Sequence, residues 1–465
     1  MKLSRKITIA VLLAGATILS GCDTVRTVQD WFDLGTRKTK IQGERISIIA
    51  SDAELTADPQ LASSKMDLPP PRKNADWPEP GGTPDNVVGN LMADGPLERL
   101  WSADAGKGTD NDSRLTAPPI VADGMVYVLD ADTHVFAFDA KTGKALWDAN
   151  LAPDLRVGPS SFFGLIGPDK VDPTKGFGGG LAYDGGKLFA ATGFANVIAL
   201  DAKTGKQLWK VDTTVPVHSA PVVVEGRVYV VTQENETQAL DAADGHQLWS
   251  HHGTVESAGV LSSASVGVSG DTVVVPYSSG ELFALRAENG TPAWNDTLTR
   301  TGNVTSLTII NDIAGRPVID RNLVFAISHS GTLAAINFRS GSRAWTRNIA
   351  GIQTPLIAGE YVFVVSTDGQ VVCLNRADGR VRWTAALPAF EDPTGKRGPI
   401  VWAGPLLVSN FLVLVSNNGK AELLSPYTGA KLGETAIPDG TFIPPVVANG
   451  IMYVLTNDAQ LVALR

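Results

Sequence analysis

The side chains that could do chemistry are few and stand far apart in the chain. Only two of the six histidines, His251 and His252, are neighbours. Adjacent residues of a strand point to opposite faces of the sheet, so this pair cannot easily bind one metal ion. Asp130 and Asp132 are close together, but their spacing in a short polar segment is typical of a turn between strands. The sequence therefore predicts no metal centre.

Motifs for other kinds of catalysis are also missing. The chain contains no Gly-x-Ser-x-Gly sequence, the motif that presents the nucleophile of many serine hydrolases. The glycine run 178–180 neither follows a predicted strand nor opens a helix, which argues against a phosphate-binding loop. Cys373 lies in an apolar segment, where a thiol usually serves as a small buried hydrophobic group.

One pattern dominates the sequence instead, a glycine that precedes a tryptophan by four residues. It occurs at Gly143/Trp147, Gly205/Trp209, Gly245/Trp249, Gly290/Trp294, Gly341/Trp345 and Gly379/Trp383. Most pairs follow two short apolar runs, a turn, and an Asp or Asn. Two further copies of the runs lie near residues 411–429 and 451–464. Residues 97–465 thus contain eight copies of about 46 residues, close to the ~40–50 of a four-stranded propeller blade.

The two ends of the repeat region complement each other. The seventh copy has Gly433 where a tryptophan is expected, and the eighth stops at Arg465 before its own glycine and tryptophan. The segment 97–101 supplies a strand with a tryptophan at the start of the region. Pairing it with the last copy would close the ring and leave only short, protected sheet edges. The sequence predicts an all-β fold, an eight-bladed β-propeller of four-stranded antiparallel blades that an N-terminal strand closes.

The tryptophans are predicted to be structural. One stands at the same place in nearly every copy, which favours packing between neighbouring blades, and burying each ring is worth about 2–3 kcal/mol. The set is Trp101, Trp147, Trp209, Trp249, Trp294, Trp345 and Trp383.

Residues 1–21 are predicted to be a signal peptide. A basic start precedes an apolar run at 7–19, which is too short to span a bilayer that needs ~20 residues. The sequence Leu-Ser-Gly-Cys at 19–22 resembles a bacterial lipobox, which implies that Cys22 becomes the lipidated first residue. Asp23 resembles an inner-membrane retention signal of enteric lipoproteins. We expect an outer-membrane protein that faces the periplasm, with the inner membrane left possible.

Residues 22–96 are predicted to be a partly ordered tether. Proline-rich stretches at 69–72 and 78–82 favour irregular backbone, although Trp77 could dock on a folded surface. A second long departure from the repeat, at 151–180, is expected to cap one face of the propeller. The formal net charge of −9 argues against nucleic acid as a partner.

The repeat Asp-x-x-x-Gly-x-x-x-Trp after a valine-rich strand resembles two families. One is the pyrroloquinoline-quinone (PQQ) dehydrogenases, and the other is the BamB family of outer-membrane β-barrel assembly lipoproteins. The lipobox favours the second family. So do the stretches 43–47 and 76–82, which are similar to the N-terminal segment of alphaproteobacterial BamB-type proteins.

Membership of the BamB family implies a scaffold without catalytic activity, cofactor or metal. It would bind the periplasmic POTRA domains of a BamA-type protein, act beside other assembly lipoproteins, and support insertion of β-barrel proteins into the outer membrane. The implied contacts lie in two loops, 256–262 and 311–317. The implied contact residues are Val260 and Leu261 in the first loop and Asp312, Ile313 and Arg316 in the second. The first loop lacks the arginine of the family, and Ala314 replaces a second acidic residue.

Two alternatives remain open at this stage. A PQQ-dependent periplasmic dehydrogenase would need a quinone site at the propeller centre and a calcium ion, which favours a dense cluster of oxygen ligands. The sequence offers no such cluster and no adjacent cysteines. A generic protein-interaction propeller of the cell envelope is the other alternative.

Overall fold

The computed structural model describes residues 55–153, 178–256, 264–299 and 310–465. Cys22, Val260, Leu261 and most of the 151–180 insertion lie outside this part of the chain. One short helix, α1 (Pro59–Ser63), begins the described region. Asp58 caps it, because its carboxylate accepts hydrogen bonds from the backbone N–H groups of Gln60 and Leu61.

The described strands follow in chain order. Two precede the first blade, namely β1 (Asn90–Leu91) and β2 (Arg99–Asp104). Blade 1 contains β3 (Ile120–Ala122), β4 (Met125–Leu129), β5 (His134–Asp139) and β6 (Ala145–Asn150). Blade 2 contains β7 (Gly179–Asp184), β8 (Lys187–Thr192), β9 (Asn196–Asp201) and β10 (Gln207–Asp212). Blade 3 contains β11 (Val222–Val224), β12 (Arg227–Val231), β13 (Glu236–Asp241) and β14 (Gln247–His252).

The remaining blades repeat this plan. Blade 4 contains β15 (Gly267–Ser269), β16 (Thr272–Pro276), β17 (Glu281–Arg286) and β18 (Pro292–Thr297). Blade 5 contains β19 (Val318–Asp320), β20 (Leu323–Ile327), β21 (Leu333–Asn337) and β22 (Arg343–Arg347). Blade 6 contains β23 (Leu356–Ala358), β24 (Tyr361–Val365), β25 (Gln370–Asn375) and β26 (Val381–Ala386). A hairpin of β27 (Phe390–Asp392) and β28 (Arg397–Pro399) precedes blade 7. Blade 7 contains β29 (Trp402–Val408), β30 (Phe411–Ser416), β31 (Lys420–Leu424) and β32 (Lys431–Ala436), and blade 8 contains β33 (Val446–Ala448), β34 (Ile451–Leu455) and β35 (Gln460–Leu464).

The ring closes through the N-terminal strand. β2 pairs antiparallel with β35, with Trp101 opposite Ala463, and so becomes the fourth and outermost strand of blade 8. Six of the other blades are four-stranded antiparallel sheets in chain order, and the four antiparallel strands of blade 7 gain β1 as a fifth strand, which pairs parallel with β29. The structure therefore confirms the predicted eight-bladed propeller. Closure matters because it pairs an edge that would otherwise be open to another chain.

The wheel has two different faces. The chain leaves each blade from the outermost strand and enters the next at the innermost strand, and we call the side of these crossings the connection face. The opposite side, the hairpin face, carries the turns between first and second and between third and fourth strands. In blade 1 the two turns of the hairpin face are joined by a hydrogen bond from Ala140 N to Gly124 O of 2.9 Å.

A glycine and a tryptophan from neighbouring blades form seven of the eight seams. The indole Nε1 of Trp147 donates to Ala202 O at 3.0 Å, and its ring lies against Gly205. A Cβ on Gly205 would come within 2.5 Å of that ring, and its φ of +70° also favours glycine. The same indole bond recurs from Trp209 to Ala242, Trp249 to Ala287, Trp294 to Phe338, Trp345 to Arg376 and Trp383 to Pro426. The glycine of each of these repeats thus packs against the tryptophan ring of the preceding blade.

The packing between blades 7 and 8 explains why position 433 is a glycine and not a tryptophan. In blade 8 the third and fourth strands come from opposite ends of the repeat region, so no turn glycine joins them. A tryptophan at position 433 would have no such glycine to pack on. Instead Ile437, Val454 and Val462 line an open groove at this seam. Trp101 closes the ring on the other side of blade 8, packed against Gly143.

Residues 74–94 run once around the inside of the ring, and we call this segment the inner belt. Hydrogen bonds join the belt to the blades in ring order. The pairs, with the belt residue first, are Asn74 and Val447, Trp77 and Val121, Pro78 and Tyr183, Glu79 and Val223, Pro84 and Val268, Asp85 and Ile319, Leu91 and Ser409, and Asp94 and Gly450. Val88 packs against the apolar cluster that blades 6 and 7 share. The innermost strand of a blade would otherwise face the axis with an unpaired edge, and among the described residues the belt hydrogen-bonds to this edge in blades 1–5, 7 and 8.

The chain before the belt lies on the outer strand of blade 6. Asp58 N donates to Val381 O at 2.8 Å, and the Arg382 guanidinium donates to the carbonyls of Leu61 and Ser64 at 2.6 Å. Proline-rich composition indicates irregular backbone for this region, and the backbone is irregular. Its pairing with the blades has no counterpart in the sequence pattern.

Candidate functional site

A small cavity lies on the propeller axis, on the connection side of the inner belt. It offers ≈ 60 Å³ to solvent. Its floor is the belt, including Trp77, Gly81 and Asn86, and its walls are the residues that lead into the innermost strands, including Arg316 and Thr354.

Prolines shape the walls of this axial cavity. Pro118, Pro355, Pro405 and Pro445 all line it. Proline is tolerated where a strand begins and has no backbone N–H, so these positions present no donor to the cavity. Polar contacts with anything in the cavity therefore depend on a few side chains.

Arg316 is the one cationic side chain that lines the cavity among the described residues. Its backbone N–H donates to Thr354 Oγ1 at 3.2 Å, which ties the loop to blade 6. The guanidinium Nε is buried and has no hydrogen-bond partner. Partial burial of the side chain lowers the pKa of Arg316 to about 10, although the residue as a whole is only half-buried. The side chain is still a cation at neutral pH.

Trp77 adds a second buried donor. It is 5% exposed, and its indole Nε1 has no hydrogen-bond partner. Asn86, beside it in the belt, is satisfied, since Nδ2 donates to Pro317 O at 2.8 Å and to Val266 O at 3.3 Å. These two bonds hold the belt against blades 4 and 5, whereas Trp77 Nε1 and Arg316 Nε, which belong to residues that line the same cavity, are buried without a partner.

The other predicted contact residues of this loop face inward. Ile313 is 1% exposed and packs in the apolar cluster between blades 4 and 5, with Leu298 and Val324. Asp312 is 5% exposed, and its carbonyl accepts the backbone N–H of His329 at 2.8 Å. Their burial leaves these two side chains little surface for a partner, so we revise their predicted role from contact to positioning of the loop. Val260 and Leu261 lie outside the described residues.

Glu79 is a buried carboxyl group within the belt. Its Oε1 accepts the backbone N–H of Val223 at 3.1 Å, while Oε2 has no partner. Burial raises the pKa of Glu79 well above its ordinary value. The neutral form is favoured, and the side chain completes the edge of blade 3.

The remaining titratable groups belong to turns and seams. Asp130 accepts backbone N–H groups of Asp132 and His134 at 2.9 and 2.7 Å, so it caps a turn. His251 stacks on Tyr277 of blade 4, with Nδ1 and the hydroxyl oxygen 2.9 Å apart, and burial lowers the pKa of this histidine. Of the histidine pair, His251 is half-buried in this contact and His252 is exposed.

One group of possible metal ligands occurs among the described residues. Ligand atoms of Asp241, Asp244 and His246 lie within 4.8 Å of one another on a turn of the hairpin face. Asp241 and Asp244 cap this turn, since they accept hydrogen bonds from the backbone N–H groups of Ala243 and His246.

Within the described ranges, no helix is long and apolar enough to cross a membrane.

Comparison with known proteins points to one family. A family profile described as "Outer membrane protein assembly factor BamB" matches residues 97–171 and 166–385. The outer membrane protein assembly factor BamB of Burkholderia pseudomallei (strain K96243) is 26% identical over 388 residues, which cover 79% of this chain and 88% of that protein.

Two solved structures share the fold. The crystal structure of BamB from Moraxella catarrhalis superposes with a TM-score of 0.64 at 19% identity, covering 80% of this chain and 100% of that one. A europium-containing methanol dehydrogenase superposes with a TM-score of 0.62 at 16% identity, covering 84% of this chain and 89% of that one. At these identities the likeness concerns the fold alone.

The quinone and calcium ion of a PQQ dehydrogenase do not fit this hub. The belt fills the centre of the wheel and leaves ≈ 60 Å³, whereas small-molecule sites have ~300–1,000 Å³. No described residue that lines the axial cavity carries a carboxylate, although calcium takes ~6–8 oxygen ligands. The hub is built from the chain's own backbone.

Proposed function

Because the chain belongs to the family of the outer membrane protein assembly factor BamB, we propose that it is a non-catalytic scaffold lipoprotein of the β-barrel assembly machinery. It binds the periplasmic POTRA domains of a BamA-type protein, acts beside other assembly lipoproteins, and supports insertion of β-barrel proteins into the outer membrane. The observation that carries the proposal is the filled hub, because a wheel whose centre is occupied by its own belt offers surfaces rather than a reaction chamber.

The wheel suits this role mechanically. Seven glycine–tryptophan seams and the inner belt fix the blades against one another. A rigid partner loses less conformational entropy when it binds, so more of the contact free energy appears as affinity. The loops of the connection face are then presented in a fixed arrangement.

The connection face is the proposed partner surface. Val260 and Leu261 contribute apolar contacts from the loop between blades 3 and 4. Arg316 contributes charge near the axis, and Asp312 and Ile313 hold its loop in place from within.

Lipidation of Cys22 places this surface at the membrane. One acyl chain binds membranes weakly, whereas two or more anchor a protein stably. The proposed location is the outer membrane, facing the periplasm, with Asp23 the residue that leaves the inner membrane possible. A membrane tether raises the effective concentration of the wheel near membrane-bound partners. The acidic charge of the chain makes nucleic acid a poor partner.

The proposal is tested by affinity capture from detergent-solubilised envelopes with the full-length chain. We expect the BamA-type protein to be recovered with the unaltered chain. The double variant V260R/L261R should lose that recovery, because it places charge in an apolar contact. The matched control is L208R, which alters a leucine that is 49% exposed on the outer strand of blade 2 and should leave recovery unchanged.

The other outcomes separate the alternatives. Recovery of a different envelope complex, with no assembly protein, would favour a generic interaction propeller. Reduction of a dye by the purified chain only when PQQ and calcium are added would favour the dehydrogenase. Either result would contradict the scaffold proposal.

A further inference from the structure

Among the described residues, the seam between blades 7 and 8 is the one seam of the ring that no tryptophan fills. At each of the other seven, an indole ring lies against a turn glycine of the next blade. Here a groove that offers ≈ 560 Å³ to solvent takes the place of the ring, and we call this groove the open seam. Its volume lies within the ~300–1,000 Å³ of small-molecule sites.

The backbone does not require a glycine at position 433. The φ of Gly433 lies outside the left-handed region, so other residues could adopt its conformation. A Cβ at this position would meet only the Leu423 side chain of its own blade, at an ordinary contact distance of 3.6 Å, and no atom of blade 8 within 4 Å. The space beside Gly433 is therefore open toward blade 8.

The open seam is lined mainly by apolar side chains. Val454, Val462 and Leu464, all buried in blade 8, form its floor. Its walls include Leu97, which is half-buried, and Ala436, which is exposed. A side chain that enters from solvent can therefore contact the walls directly and lie above an apolar floor.

Leu97 holds a strained backbone conformation in the wall of this groove. Its φ of +63° lies in the left-handed region, which is uncommon for a bulky residue and costs about 1–3 kcal/mol. Glycine or asparagine adopts this conformation with less strain. The strain holds an apolar side chain at the groove, and such outliers cluster at sites that bind ligands.

The seven filled seams indicate which side chain fits the open one. Each of them holds a flat aromatic ring between two blades that are built from the same repeat. Glu98 and Arg99 also line the open seam and carry opposite charges, so a neutral group is favoured over an ion. Burial of a large apolar side chain is worth about 2–3 kcal/mol, which gives such a ring a reason to enter.

We propose that the open seam binds an aromatic side chain of a partner protein, which takes the place that a tryptophan of this chain fills in the other seams. The groove involves neither of the loops 256–262 and 311–317. The proposal therefore does not rest on the proposed function, and the failure of one leaves the other untouched.

The test uses N-acetyl-L-phenylalanine amide as the probe. The mature chain carries C22S, so that no lipid competes, and its leucine and valine methyl groups are followed by nuclear magnetic resonance. The L97M variant identifies the Leu97 signals by their loss. We expect these signals to shift and saturate with the probe, and the alanine analogue to bind at least about tenfold more weakly, because it lacks the ring.

Two variants block the groove in different ways. G433W supplies a tryptophan from the chain itself, and A436R adds a long charged side chain at an exposed wall position without changing the floor. Each should weaken probe binding at least about tenfold. The matched control is L248R, which alters a leucine that is 39% exposed on the outer strand of blade 3 and should bind like the unaltered chain. Leu97 signals that do not respond, or that respond equally in G433W and A436R, would overturn the proposal.

A second arm identifies the occupant in intact envelopes. The full-length chain carries the photo-crosslinker p-benzoylphenylalanine at position 436, and mass spectrometry maps the crosslinked peptides. We expect position 436 to be joined to a segment of a different protein that contains an aromatic residue, and G433W to abolish this crosslink. A crosslinker at position 248 is the control and should not give the same product. Crosslinks only to a second copy of this chain, to its own residues or to lipid would contradict a partner protein as the occupant.

Discussion

The two faces of the wheel treat their polar groups differently. Toward the hairpin face, the inner belt pairs the axial edges of the blades, and even Asn86 has both of its hydrogen bonds. Toward the connection face, prolines that lead into the innermost strands remove backbone donors, and Arg316 is the one cation that lines the axial cavity among the described residues. The belt builds the fold on one side, whereas the loops of the other side keep surface for a partner. We therefore propose that recognition belongs to the connection face.

Removal of the belt should have the largest effect. A chain that begins at residue 96 loses at least eight hydrogen bonds to the blades, each worth about 1 kcal/mol, and the burial of Trp77 and Leu91, each worth about 2–3 kcal/mol. The total is comparable with the whole stability of a typical domain, about 5–15 kcal/mol. We expect no folded monomer by size-exclusion chromatography and circular dichroism. A chain that begins at residue 55 is the control and should remain folded; a folded, equally stable chain from residue 96 would break the comparison.

Loss of a tryptophan at a seam between blades should have the second largest effect on stability. Trp209 is 9% exposed between blades 2 and 3, and W209A should cost about 3–5 kcal/mol in free energy of unfolding. L208A changes the neighbouring exposed leucine and should stay within about 0.5 kcal/mol. Urea denaturation measures both. Equal effects from the two variants would mean that the tryptophans do not hold the blades together.

One pair of variants compares how much a polar side chain on each face contributes to stability. N86A removes two hydrogen bonds of the belt and leaves buried carbonyls unpaired, at a cost of about 1–3 kcal/mol. R316M removes a half-buried guanidinium that has no ion pair among the described residues. It should change the free energy of unfolding by less than about 0.5 kcal/mol, because substitutions outside the packed core usually have small effects. A large loss of stability in R316M would contradict the proposal that this side serves recognition.

Glu79 gives a smaller, pH-dependent effect. Because burial raises its pKa in the folded state, the folded chain holds a proton that the unfolded chain releases above the ordinary pKa of glutamate. The stability of the unaltered chain should therefore fall as pH rises from that value toward the folded pKa. E79Q carries no such proton. Its stability relative to the unaltered chain should rise as pH increases above the ordinary pKa of glutamate, measured by urea titration at a series of pH values. A constant difference would show that the pKa of Glu79 is not raised in the folded chain.

The sequence was informative where the chain repeats and uninformative where it does not. The glycine–tryptophan spacing predicts blades, seams and ring closure, because each repeat must bury the same side chain against the next. The belt has no period, and its bonds come largely from backbone atoms of a proline- and glycine-rich segment. Composition therefore suggests irregular backbone there and nothing more.

The site was only partly predictable for a similar reason. Family resemblance selected the loop of Asp312, Ile313 and Arg316, but which of these side chains faces the axis depends on packing between blades 4, 5 and 6. Ile313 is an apolar residue and could have been recognised as core. Arg316 and Trp77 line one cavity although they are 239 positions apart in the chain, and no local pattern connects them.

Hydrogen–deuterium exchange of the full-length chain, with and without the POTRA domains of the BamA-type protein, tests the difference between the faces most directly. We predict that binding slows exchange in the loops of the connection face, including 311–317, and leaves the turns of the hairpin face unchanged. Protection confined to the hairpin-face turns, such as 139–143 and 201–205, would contradict the account.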